Sequence, residues 1–490
     1  MHVSSGSCLR KAIHSATSLF SLALVLAAVV LSCSPPAKAL PAFARKYGLR
    51  CSACHESWPM LNYFGQKFKD NGYQLMNDRD SPIWQNPGYW PVTFRITPIW
   101  HRVSTGKVDI DTYSGGAISG SQIQRVTSSG FDLSGLDFHT GGVLEKNFSF
   151  YVLPSSDPTA SFHFETVMAR LDNLFGSSWL NVKLGKFELD NLLSEKRILT
   201  LTGNGGIYQL YHFIPVGDGN IFGQMGDNQL GVEVMGHSAD DRTRYSASIL
   251  SSSDGQVGLP YGNGYTGFFT GSQAFDAGRL GVQRVGFYAM VGEAPTYWLT
   301  QGGTLFTGQN GTGPSAIGNK SFSREGFVGQ FYFGPHVDLT VITQHGEDSA
   351  WFGQGYGDLI DGVAGQNNTP GTTLPTGAQN PTWNGVLLEP HYVYSPQLIF
   401  IGRYETIRMS QQADGSAYTG IGPTGITGPS PSNLGNITTY TIGYRYNPFM
   451  TSRAGFAWHN EYNWLHQDGT GPGNTNINTS ELLLGFDFDF

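Results

Sequence analysis

From Trp90 to the C-terminus, apolar residues recur at every second position in one segment after another. That is the period of a strand with one apolar and one polar face. The last segment is the clearest, with Leu482, Leu484, Phe486, Phe488 and Phe490 on one face and Glu481, Asp487 and Asp489 on the other. Similar patterns cover residues 90–105, 131–144, 148–154, 162–171, 179–187, 229–237, 243–251 and 280–292. They continue over 297–306, 326–333, 337–345, 383–394, 397–409, 438–446, 453–466 and 477–490. Several reach the roughly 9–11 residues that a tilted strand needs to cross a bilayer. Tight turns (Glu145-Lys146-Asn147, Gly334-Pro335-His336, Ser395-Pro396) alternate with long connections near 189–227, 253–279, 346–382 and 410–436. Short links at one end and long loops at the other are the pattern of a transmembrane β-barrel, here of about 16 strands. The expected fold is therefore mainly β: a small helical N-terminal domain followed by an antiparallel transmembrane barrel over 90–490.

The N-terminal domain, 40–89, has a different period. Trp58, Leu61, Phe64 and Phe68 fall on one helical face, with Gln66, Lys67 and Lys69 opposite as an expected solvated face. Pro59 suits a first helical position, and Asn71-Gly72 a stop.

Composition sharpens the barrel reading. Charged residues are 13% of the chain, against about 25% in soluble domains. Gly accounts for 65 of 490 residues, aromatics for 13%, and the mean hydropathy is only −0.21. A large soluble sandwich would need more surface charge, and a propeller would need a repeat of roughly 40–50 residues that is not found. The net charge of −8 argues against a nucleic-acid partner.

Residues 1–39 read as a cleaved secretory signal. Arg10 and Lys11 precede an apolar run over 18–31, and Ala37-Lys38-Ala39 offers a small-residue cleavage site. The run is shorter than the roughly 20 residues of a spanning helix. Val30-Leu31-Ser32-Cys33 is the competing lipoprotein-type site. Cleavage after Ala39 leaves only Cys51 and Cys54.

Those two cysteines lie in Cys51-Ser52-Ala53-Cys54-His55, the attachment signature of a covalently bound haem c. Two thiols three positions apart reach the two vinyl groups of one haem, and the next residue meets the iron from the same side. A zinc site would require a second pair of ligands, and a thioredoxin-like pair a βαβ setting; neither is present. His55 as proximal ligand leaves the opposite iron face for a second one. Met76 is favoured for that position, His101 is a less favoured candidate, and an open site is a third possibility. His391 with Glu389, and His459 with Glu461, share the inward strand face, as a metal or proton path or simply as polar lining.

The stretch from Pro41 to Tyr73 resembles the N-terminus of fused outer-membrane monohaem cytochrome–porins. The matching features are Phe43-Ala44-Arg45, Gly48, the haem motif, Pro59, Phe64-Gly65, Phe68-Lys69 and Gly72-Tyr73. Lys46-Tyr47 and Trp58 depart from the family pattern, which points to a related branch. The resemblance implies one haem domain ahead of a porin-like barrel in the outer membrane of a Gram-negative bacterium. It also implies electron transfer across that membrane, with Fe(II) outside as donor and a periplasmic carrier cytochrome as partner. The haem domain would sit on the periplasmic side or inside the barrel, and the barrel would contact outer-membrane lipid. The acidic positions Glu389, Glu461, Asp487 and Asp489 could then attract cations. The competing expectations are a diffusion porin with a haem-domain plug or sensor, outward electron transfer to a metal acceptor, and a haem enzyme acting on a small oxidant.

Overall fold

The computed structural model describes residues 42–57, 60–77, 79–85, 91–114, 117–156, 162–189, 210, 228–251, 264–295, 319–349, 380, 382–409, 419–421, 427–429, 436–450, 454–471 and 475–489. The signal segment with Cys33, the pair Trp58-Pro59, the 297–306 segment and Phe490 lie outside them.

Sixteen antiparallel strands close into one barrel. In chain order they are β1 (Val92–Ser114), β2 (Ala117–Glu145), β3 (Phe148–Ser156), β4 (Phe162–Leu171), β5 (Asn181–Phe187), β6 (Gln229–His237), β7 (Thr243–Ser251) and β8 (Tyr265–Asp276). There follow β9 (Val282–Pro295), β10 (Asn319–Tyr332), β11 (Val337–Asp348), β12 (Thr382–Ser395), β13 (Leu398–Met409), β14 (Ile437–Met450), β15 (Gly455–Gly471) and β16 (Thr475–Asp489). The ring closes where β16 pairs with β1, Asp489 opposite Arg95 and Thr479 opposite Thr105. Seven short links (for example 146–147, 333–336 and 396–397) gather at one end together with the start of β1 and the end of β16. The long connections leave from the other.

The strand number matches expectation, but the set of strands does not. The eighth strand is Tyr265–Asp276, which sequence reading assigned to a long connection, and the barrel closes without 297–306. Adjacent Phe268 and Phe269 conceal the alternation: Phe268 is buried inside, and Phe269 faces out.

Alternation otherwise governs every wall. On β13, Ile399, Ile401, Arg403, Glu405, Ile407 and Met409 all turn inward and are buried, while Phe400 is exposed on the outside. The outer face is apolar, with Val232, Ile249, Phe287, Val291, Phe327, Ile442, Leu484 and Phe486 all exposed. Near the turn end, Phe333, Tyr392, Tyr394, Tyr446 and Trp458 add exposed aromatics. An apolar band edged by aromatic rings is the surface that lipid covers, and closure satisfies every strand edge within it. No helix among the described residues is long and apolar enough to cross a membrane.

The interior of the barrel is layered. At the loop end, Phe187, Phe268, Phe322, Trp383, Ile407 and Met409 pack around Leu210, which comes from the connection between β5 and β6. At the turn end lies the N-terminal segment, with helices α1 (Ala42–Tyr47), α2 (Cys51–Cys54) and α3 (Tyr63–Asp70). It is bonded to the wall at several points: Arg45 donates to Val92 O at 2.5 Å, Ile83 N to Val143 O at 3.0 Å, and Asp70 pairs with Arg244 at 2.7 Å.

Its third helix differs from expectation. Gln66 and Asp70 are buried, whereas Phe64 is 40% exposed. Phe68 is buried with Tyr47 and Tyr73 as the apolar face predicts, but a second face of the helix meets a charged barrel wall. Gln66 therefore bonds Asp70 at 2.7 Å, and Arg170 donates to the carbonyl oxygens of Lys69 and Asp70. The expected stop does occur, with Gly72 at φ 71° just past the helix.

Candidate functional site

One helical turn carries both cysteines, and a short ladder follows it, pairing His55 with Leu61. Asn62 ties these pieces together. Its backbone N–H donates to Cys54 O at 2.9 Å, its Nδ2 donates to Ala53 O at 3.0 Å, and its Oδ1 caps α3 by accepting from Gly65 N at 2.9 Å. Gly65 has to be glycine: a Cβ there would lie 2.1 Å from the carbonyl oxygen of Cys54. The Phe64-Gly65 dipeptide thus has a mechanical role, bringing α3 directly against the motif turn.

Cys51, Cys54 and His55 line one cavity, partly open to solvent. The N-terminal segment supplies an aromatic wall, with Phe43 stacked on Tyr73 at 4.7 Å between ring centres and set edge-on to Phe68 at 5.4 Å. The barrel supplies the other wall with Thr93, Arg95, His139, Gly141, Tyr151, Leu153 and Glu165. Arg50 brings positive charge suited to a carboxylate group at the rim of a bound ligand, while Lys69 and Arg95 line the cavity already paired with Glu188 and Asp137.

Burial pushes the Cys51 thiol up to about 12, with the nearby Asp489 adding to it, and burial pushes the Cys54 thiol up to about 11. Among the described residues, no group of three or more His, Cys, Asp or Glu is arranged to hold a bare metal ion. The donor set and the cavity therefore fit a haem c: Cys51 and Cys54 would attach it and His55 would take one face of its iron.

Neither expected second ligand lines this cavity. Met76 is 53% exposed at the rim, its Sδ 4.0 Å from Asn173 Nδ2. His101 sits further along β1, 3.9 Å from Glu481. Six residues at about 3.3 Å each put it roughly 20 Å along the strand from Arg95. The histidine that does line the cavity is His139, which sequence reading passed over. Its Nδ1 lies 2.5 Å from the Tyr151 hydroxyl. The available signal was its parity, since it shares the inward face of β2 with Asp137 and Gly141.

Beside the site runs a belt of inward charges. His391 bonds Asp338 and Glu389, each at 2.7 Å, and Glu389 pairs with Arg403 at 2.6 Å. Next along the wall, Glu461 bonds His459 at 2.8 Å, His459 accepts from Arg445 at 2.9 Å, and Arg445 pairs with Asp487 at 3.2 Å. The expected pairs His391–Glu389 and His459–Glu461 are thus real contacts. Of the positions expected to attract cations, Glu389, Glu461 and Asp487 are each already engaged by a neighbouring arginine or histidine, and Asp489 stands opposite Arg95 at the barrel seam. Glu56, next to His55, faces the near end of the belt. Burial and Asp338 push its carboxyl up to about 7, with His391 opposing.

No family model matches this sequence, and neither does any curated protein. Among solved structures, the chain is similar to an anion-selective porin from Comamonas acidovorans, at 10% identity and a TM-score of 0.46, covering 81% of this chain and 99% of that one. It is also similar to OmpT, an outer membrane protein of Vibrio cholerae, at 9% identity and a TM-score of 0.45, covering 81% of this chain and 96% of that one. A third is OprB of Pseudomonas putida, at 11% identity and a TM-score of 0.42, covering 81% and 94%.

Proposed function

We propose that the chain is an outer-membrane cytochrome–porin that carries electrons across the outer membrane, from an extracellular donor such as Fe(II) to a periplasmic carrier cytochrome. The observation that supports this most is the convergence of Cys51, Cys54 and His55 on one cavity between the N-terminal segment and the barrel wall. When bound, haem supplies reversible uptake of a single electron, so each Fe(II) oxidised to Fe(III) delivers one electron to the carrier.

The protein's own part is placement. The apolar band of such a barrel is about 25 Å tall, and the short turns of outer-membrane barrels lie in the periplasm. A site at the turn end is within reach of a periplasmic partner, and electrons from an extracellular donor must cross the barrel interior to reach it. Phe43, Phe68 and Tyr73 exclude water from the macrocycle's flank, while Arg50, Lys69 and Arg95 offset negative charge around it.

The test is to purify the haem-loaded protein and mix it anaerobically with Fe(II). Appearance of the reduced haem bands supports the reading. Reduction by dithionite but never by Fe(II) removes iron as donor and moves the function to another donor, outward transfer or solute transport. A Cys51→Ser/Cys54→Ser protein that still supports Fe(II) oxidation sinks the proposal.

A further inference from the structure

On the reading that Cys51, Cys54 and His55 hold a haem, we propose that His139, on the barrel wall, is the second ligand to its iron. The iron would then be held between the N-terminal segment and β2, one histidine from each.

The argument starts from access. A ligand for the open iron face must line the same cavity as the attachment cysteines, and His139 is the one histidine other than His55 that does so among the described residues. No methionine lines it among those residues. Met450 borders a separate crevice beside Cys51 and His55, with about 330 Å³ of empty space, much less than the main cavity. Lys69 lines the cavity but pairs with Glu188 at 3.5 Å.

The setting of His139 is also that of a ligand. Histidines that bind metals fix their ring through a hydrogen bond on the nitrogen away from the metal. Here Nδ1 is held by the Tyr151 hydroxyl at 2.5 Å, and Tyr151 packs on Tyr73 at 5.9 Å between ring centres. With Nδ1 held there, Nε2, an ion-pair distance of 3.9 Å from an Asp137 carboxylate oxygen, is the nitrogen that would take the iron. Asp137 is itself engaged by Arg95 and by Ser155 at 2.5 Å, so the residues behind the ring are ordered too.

Such ligation makes the barrel part of the redox site. It also explains how a haem segment with no second histidine of its own between 40 and 100 can reach six-coordination.

The experiment uses the full-length, haem-loaded protein in detergent and reads the ligands spectroscopically. The ferric wild type should be low-spin with the near-infrared charge-transfer signature of two imidazoles, and its ferrous form should resist carbon monoxide. His139→Ala should become high-spin, bind carbon monoxide, and return to low-spin when imidazole is added. His139→Met should acquire an imidazole–thioether signature. Met76→Leu, His101→Ala and Met450→Leu should keep the wild-type spectrum. An imidazole–methionine or high-spin wild type overturns the assignment, as does a His139→Ala or His139→Met protein with an unchanged spectrum. If substitution at 139 prevents loading, the wild-type signature alone decides. A wild type with no covalent haem at all is a different failure, that of the haem reading.

Discussion

The two ends of the barrel interior are built by the same strands and are filled differently. On β13, Arg403 and Glu405 face the charged belt, and two to four residues on, Ile407 and Met409 join the apolar cluster around Leu210. At the turn end the wall meets a helical segment through hydrogen bonds and ion pairs, and a cavity remains between them. At the loop end the wall meets side chains and closes on them, with Trp383 fully buried and the Arg324 guanidinium 4.3 Å above its ring. Inward parity therefore does not specify a polar lumen. What fills each end decides which residues it tolerates: packed apolar rings give rigidity, and paired charges around an open space leave room for a ligand.

Removing both thiols tests that contrast most strongly. Cys51→Ser/Cys54→Ser should abolish covalent haem and all Fe(II)-driven reduction, while the barrel keeps its heat-modifiable migration on a gel. Loss of the folded barrel as well would mean that the two ends are not separable.

Trp383→Ala should act in the opposite sense. It should cost about 3–5 kcal/mol of barrel stability, as large-to-small changes of buried aromatics do, with the haem spectrum unchanged. Urea unfolding of the protein in detergent would measure it, and a shifted haem spectrum would show that the apolar end reaches the site.

Gly65→Ala is the subtler probe of the turn end. The new Cβ meets backbone, the Cys54 carbonyl, so no rotamer change relieves it. Overpacking of this kind costs about 1–3 kcal/mol, and here it should appear as reduced haem incorporation with normal barrel folding. Asn62→Ala should be smaller, about 1 kcal/mol for a lost helix cap, read as faster proteolysis of the N-terminal segment. An effect larger than that of Gly65→Ala would mean that the bonds from Asn62 to Ala53 and Cys54, and not the close approach at Gly65, hold the motif turn.

Much of the fold was legible because it depends on local period. Alternation located most of the strands, and the turns at 145–147, 334–336 and 395–396 fell where the barrel has its short links. It failed at Tyr265–Asp276, where consecutive phenylalanines serve both faces, and at the 253–279 connection drawn across that strand. The attachment motif was legible for a similar reason: five consecutive residues carry its chemistry. His139 was not, because a single inward histidine on a strand looks like any other polar lining until the residues opposite it are known.

The sequence by itself determined the period-two walls and the placing of Cys51, Cys54 and His55 on one turn. These follow from covalent spacing and from the alternation of side chains along a strand. Only the tertiary structure decided that α3 buries Gln66 and Asp70, that the belt carboxylates are already paired, and that the cavity wall opposite the motif comes from β2 and β3. Each of these depends on which residue, distant in sequence, stands across a gap of a few ångströms, and the chain's local pattern carries no record of that.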